Sequence, residues 1–142
     1  EEIREAISEM KPEKMRGQVI KFREGFAVID DSYNSNPRAL TEMIRFLGRV
    51  QGYQRKIVVA GEMLELGPDG PELHRSCGRE AARGGAELIV GVQGMAREIL
   101  QAGELLARTL RKGDVLLLKG SRGVRLEQAL NTLRAAFSSL EP

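Results

Sequence analysis

KIVVAG, Lys56 to Gly61, is a continuous apolar run too short for a helix, and such a run reads as a strand covered on both faces of a sheet. Its composition predicts a central position. DVLLLK, Asp114 to Lys119, has the same character, and residues 88–92 supply another short burst between them. Helical patterns fill the intervals. Leu40, Met43, Ile44 and Leu47 recur at helical spacing behind Asn36 and Pro37, an N-cap followed by a first-turn proline, which predicts a helix over residues 37–50. Residues 71–83 carry Leu73, Cys77 and Ala81 along one side and stop at Gly84-Gly85. Residues 95–102 are helical by pattern, residues 103–113 show no clear one, and Leu126, Ala129, Leu130, Leu133 and Phe137 define a last amphipathic helix. Upstream, residues 18–22 and 26–31 are β-prone runs separated by Arg23, Glu24 and Gly25, a hairpin signal. This alternation predicts an α/β fold: an open, mostly parallel sheet with an antiparallel N-terminal edge hairpin strand and helices on both faces.

The composition narrows function by exclusion. With 142 residues, 42% of them hydrophobic, the chain can build one sizeable core. Its 22 basic and 20 acidic residues are interspersed and its aromatic content is 4%, so neither a basic patch nor a base-stacking platform for nucleic acid is expected. No apolar run has membrane-spanning length, and the acidic, amphipathic start does not read as a signal peptide. Cys77 is the only cysteine, which forbids an internal disulfide and fits a cytoplasmic protein. Residues 1–10 place Ile3, Ile7 and Met10 on one face of a helix without an evident partner. They are expected to be the end of an element of an upstream domain, with residues 1–16 forming that helix and a linker and residues 17–142 the domain proper.

In open α/β sheets, ligands bind beyond the carboxyl ends of the strands, where loops converge and helix amides point outward. Three polar clusters fall there: DDSYNSNP at Asp30 to Pro37, GEMLELG at Gly61 to Gly67, and KGSRG at Lys119 to Gly123. A carboxylate such as Asp31 can accept from ribose hydroxyls, whereas Lys119, Ser121 and Arg122 suit a carboxylate or phosphate. Simpler roles compete: Asn36 as a helix cap, one aspartate as a strand terminator, Ser121 as a cap and Arg122 as a solvated charge. His74 shares a helical face with Cys77, Gly78 and Ala81 and is expected to be packed and hydrogen-bonded. One histidine and one cysteine offer no metal-ligand set, and neither a P-loop nor a dinucleotide fingerprint occurs, so no phosphate cradle is expected.

DDSYNSNP, GEMLELG followed by LHRSCG, and GDVLLLKGSRGVRLE, taken in that order, resemble the Mur ligase family, and within it the ATP-dependent ligases that add D-alanyl-D-alanine to UDP-N-acetylmuramoyl-tripeptide. The resemblance covers most of residues 18–133. It implies a C-terminal Rossmann-like domain that closes over N-terminal and central domains, the central one holding most of the ATP and magnesium. The reaction implied is carboxylate phosphorylation followed by attack of the dipeptide amine, a step of peptidoglycan synthesis in cell-wall biogenesis, with the isolated domain inactive. By the same resemblance Asp31 meets the ATP ribose, and Tyr33, Asn34 and Asn36 line the nucleotide and substrate side. Lys119 is implied as the catalytic residue steadying phosphate charge, while Ser121 and Arg122 hold the dipeptide carboxylate.

Some positions depart from the family pattern. Glu62 stands where aspartate is usual, Ser35 where alanine is common and Cys77 where a small aliphatic residue is common. Residues 101–113 form a shorter segment than is usual, at a place where the family often has a further strand. Two alternatives stay open: another amino-acid ligase of the Mur and folylpolyglutamate type, and a receiver-like signalling domain, whose acceptor aspartate is lacking where Ala60-Gly61-Glu62 ends a strand. The strand-end carboxylate of Asp31 is expected to cost little stability when truncated.

Overall fold

The computed structural model of the chain describes residues 13–93 and 96–140. The expected helix over residues 1–10 and the expected helix start at Met95 lie outside them. The five strands are β1 (Gln18–Lys21), β2 (Ala27–Asp31), β3 (Arg55–Gly61), β4 (Leu88–Val92) and β5 (Asp114–Lys119), in the order β1-β2-β5-β3-β4. β1 runs antiparallel to β2, and the remaining pairings are parallel. The helices are α1 (Pro37–Arg49), α2 (Gly70–Arg83), α3 (Ala96–Thr109) and α4 (Glu127–Ala136).

The sheet separates two apolar layers. Leu40, Ile44 and Leu47 of α1 with Cys77 and Ala81 of α2 cover one face, packing on Ile29, Val58, Val115 and Leu117. Ala102 and Leu106 of α3 with Ala129, Leu130 and Leu133 of α4 cover the other, against Val28, Ile57, Val59, Leu116 and Leu118. Each fully buried aliphatic side chain contributes about 1.5–3 kcal/mol. The open, mostly parallel sheet with an antiparallel edge strand and helices on both faces is therefore as expected.

Three details differ from the sequence reading. β3 is an interior strand, but β5 inserts between β2 and β3 and takes the middle, with all six of its residues buried. α3 continues past Ala102 to Thr109. Gly103, which obscured the helical pattern, is a contact residue: a Cβ there would lie 2.8 Å from the Thr132 side chain, so its absence lets α3 approach α4. No strand occurs between β4 and β5 among the described residues. Finally, KGSRG does not open α4. A single 3-10 turn, Arg122–Val124, intervenes, and Arg125 adopts a left-handed conformation at φ 60° before the helix begins. Val124 and Leu126 are both fully buried, and reversing the chain between them allows both to enter the core.

Candidate functional site at the carboxyl edge of the sheet

The parallel register aligns Asp31, Lys119 and Ala60 at one level of the carboxyl edge. The helices that follow β2 and β3 lie on one face of the sheet, and the helix that follows β5 lies on the other. The loops therefore diverge on both sides of β5, which is the condition for a crevice.

On the β2 side lies a cleft of about 410 Å³ lined by Asp31, Tyr33, Asn34, Asn36 and Lys119, with Arg16 and Met43 at its border. Five of the expected site residues thus meet in one place. Lys119 is 3% exposed. Its Nζ sits 2.7 Å from Asp31 Oδ2 and donates to the Asn34 carbonyl at 2.7 Å, so the ammonium binds the loop that follows β2 to the end of β5. Asp31 Oδ1 has no hydrogen bond among the described residues. Asn36 caps α1, its Oδ1 accepting from the Ala39 amide at 2.8 Å, and Asn34 Oδ1 accepts from the Ser35 amide at 2.8 Å. Tyr33 is exposed, with Arg16 4.2 Å and Arg122 5.2 Å from its ring centroid. Arg122 therefore stands at the rim, across Tyr33, whereas Ser121 is buried and points its oxygen at the Leu64 amide, 3.3 Å away.

Asp30 faces the opposite layer. Burial pushes its carboxyl above the usual carboxylate range, partly offset by hydrogen bonds from the Ser32 hydroxyl at 2.5 Å and the Ser32 amide at 3.3 Å. Of the two aspartates, Asp30 is the one that shapes the turn, through Ser32, while Asp31 is the last residue of β2.

A second cleft of about 590 Å³ lies beyond β3 and β4, walled by the loop after Gly61, the start of α2 and the end of β4. Here the chain folds back on itself closely. Gly61 and Gly120 face each other with no room for side chains: a Cβ on either would stand 3.1 Å from the other's Cα. His74 is hydrogen-bonded through both ring nitrogens, as expected of a packed histidine. Sequence reasoning did not single out Arg16, and it noted Ser35 only as a departure from the family pattern. Arg16 belongs to the segment before β1, held by the Tyr33 amide donating to Met15 O at 3.1 Å, and nothing in its local pattern announces that contact. The buried Ser35 hydroxyl has no hydrogen-bond partner among the described residues, which only burial reveals. Among the described residues, no group of three His, Cys, Asp or Glu side chains is placed to hold a metal ion, and no helix is long and apolar enough to cross a membrane.

A parallel α/β edge with register-matched Asp31 and Lys119, clefts on both sides of the middle strand and no phosphate cradle matches a known domain. The family described as Mur ligase, glutamate ligase domain matches residues 15–122, and the chain belongs to that family. Among its relatives is the UDP-N-acetylmuramoyl-tripeptide--D-alanyl-D-alanine ligase of Bacillus subtilis, 28% identical over 94% of this chain and 33% of that protein. The ligase of the same name from Treponema pallidum is 32% identical, again over 94% and 33%. The MurF ligase of Thermotoga maritima, crystallised with ADP, superposes with a TM-score of 0.73 at 29% identity, over 90% of this chain and 32% of that one. A further ligase structure, from Acinetobacter baumannii, shares the fold with a TM-score of 0.75 at 23% identity. The chain thus spans about a third of the length of the relatives it matches.

Proposed function

We propose that the chain is the C-terminal closing domain of a cytoplasmic, ATP-dependent ligase that joins D-alanyl-D-alanine to UDP-N-acetylmuramoyl-tripeptide in peptidoglycan precursor synthesis. The observation that carries this reading is the Asp31–Lys119 pair, set with Tyr33 and Asn34 at the mouth of a cleft in a chain whose named relatives are such ligases. Residues 17–142 are the closing domain, and residues 1–16 connect it to a central ATPase domain. It works with the N-terminal and central domains and is inactive without them.

The residues present fit part of a nucleotide. Asp31 Oδ1 is available to accept from ribose hydroxyls, and Tyr33 and Asn34 line the same cleft. The amides that follow β3 are already bonded, and no glycine-rich cradle is present, so the triphosphate and magnesium belong to the central domain. ATP, when bound there, supplies the phosphoryl group that activates the tripeptide carboxylate; the dipeptide amine then forms the amide bond, phosphate leaves and a proton is lost. This chain's residues orient and enclose. Lys119 acts by keeping Asp31 and the Asn34 loop in place, while its positive charge stays near the departing phosphate oxygens. Arg122, exposed at the rim, grips the dipeptide carboxylate, while Asn36 lines the first cleft and Ser121 supports the site by holding the Leu64 amide. Closure excludes water and brings the amine to the reacting carbonyl.

The second reading is a ligase of the same superfamily that adds a single amino acid, favoured by the glutamate-ligase description of the family. Arg122→Ala in the complete ligase separates the two when KM is measured with D-alanyl-D-alanine and with single amino acids. The expected result is a loss of D-alanyl-D-alanine use of about 1.5 kcal/mol, roughly tenfold, the lower end for a hydrogen bond to a charged group. Unchanged kinetics with the dipeptide would remove Arg122 from the site.

A further inference from the structure

We infer that His74 is a positioning residue which holds the loop after β3 as the wall of the second cleft, and that this cleft takes the ammonium end of the amine substrate. The inference rests on the ligase reading above for the identity of that amine, but its geometry stands independently.

The loop leaves β3 through three successive amides, and each is held by a different element. Glu62 N donates to Val92 O at the end of β4 (2.9 Å), Met63 N to His74 Nε2 on α2 (2.9 Å), and Leu64 N to Ser121 Oγ after β5 (3.3 Å). Of these, the histidine bond alone ties the loop to a helix. Because a backbone N–H can only donate, Nε2 must be the bare nitrogen of a neutral ring. Nδ1 then carries the proton and donates it to Gly70 O at 2.7 Å. Both ring nitrogens are thus used, one to fix the ring on its own helix and one to fix the loop. Met63 is 3% exposed, so loss of the ring nitrogen leaves a buried amide without an acceptor.

What the loop presents follows from this anchoring. Glu65 stands at φ 63°, an uncommon conformation for a residue with a side chain, and only a loop fixed on both sides keeps it there. Glu62 and Glu65 line the 590 Å³ cleft, and no lysine or arginine lines it among the described residues. Leu64, Leu66, Pro71 and Val92 supply its apolar lining. Two carboxylates against a small apolar wall suit a primary ammonium carrying short aliphatic groups. Met63 and His74 also line a smaller apolar cavity of about 180 Å³ between α2 and β3, so they form the wall between the two spaces. Without its two bonds the ring has that space to swing into, and the loop loses its support.

The chain has one histidine, so long-range proton–nitrogen spectra of the 142-residue chain report a single ring. A ring protonated at Nδ1 and bare at Nε2 is expected, and an Nε2–H ring would overturn the inference. In the complete ligase, His74→Phe keeps the ring volume but removes the acceptor. It should raise KM for the amine substrate on the order of tenfold while KM for ATP stays unchanged. His74→Gln, whose side-chain carbonyl can accept from the Met63 amide, should restore most of the loss. Equal rises for both substrates, or none, would overturn the inference. If the phenylalanine variant does not fold, the glutamine variant decides: an amine KM near the parent value supports the assignment, and a rise confined to ATP refutes it. A complete parent ligase that uses no amine would sink the ligase reading while leaving the tautomer result in force.

Discussion

Lys119 is 3% exposed, and an ammonium buried to that extent costs several kcal/mol without a partner. Asp31 is that partner at 2.7 Å, which reverses the expectation that a strand-end carboxylate is cheap to truncate. Asp31→Ala strands the ammonium and should lower unfolding stability by about 3 kcal/mol, read from urea denaturation. The double variant Asp31→Ala, Lys119→Met should recover much of that. An Asp31→Ala chain as stable as its parent would mean that Lys119 finds other acceptors. The sequence made Lys119 conspicuous because a lysine closes an otherwise apolar strand, and Asp31 because it ends another. It could not disclose that the two are bonded to each other, since that depends on β5 entering between β2 and β3. Asn36 was legible for a local reason: its cap is made to a residue three positions on. Arg16 was not, because its position against Tyr33 depends on a contact across the fold.

At the level of elements, the end of the sheet away from the clefts is fastened by a part-buried ion pair. Arg55, at the start of β3, donates to Asp114, at the start of β5, through Nε at 2.9 Å and Nη2 at 2.6 Å, and also to Thr109 O at 2.8 Å. Asp114 is 1% exposed and accepts from the Arg111 amide as well. The guanidinium beside this carboxylate is held above its usual range, chiefly by that hydrogen bond. Removing the carboxylate therefore leaves a partly buried guanidinium and an unpaired amide. Asp114→Ala should cost about 3–5 kcal/mol in denaturant titrations, with little change in substrate KM, because the pair lies at the opposite end of the strands. A KM shift without a stability loss would contradict this division of labour. Strands and helices were legible wherever apolar spacing was regular, as in β3, β5 and α1. The reading failed at Gly103, where a residue that weakens isolated helices is used to bring two helices together, and at Arg125, where two buried side chains impose a reversal that no turn signal announces.

For the molecule as a whole, the carboxyl edge carries an open cleft and the sequence no phosphate-cradle motif, and the chain by itself is expected to bind ATP too weakly for calorimetry at micromolar concentrations. Micromolar affinity would relocate the phosphate site into this chain. The two clefts flank one strand, and between them the backbones of Gly61 and Gly120 touch. That contact acts as a rivet. Neither glycine has a side chain to absorb displacement, and the Ser121–Leu64 hydrogen bond joins the same two loops. If both clefts hold ligands, any coupling through this contact must be reciprocal: whichever ligand arrives first would alter the welcome of the second by the same factor in either order.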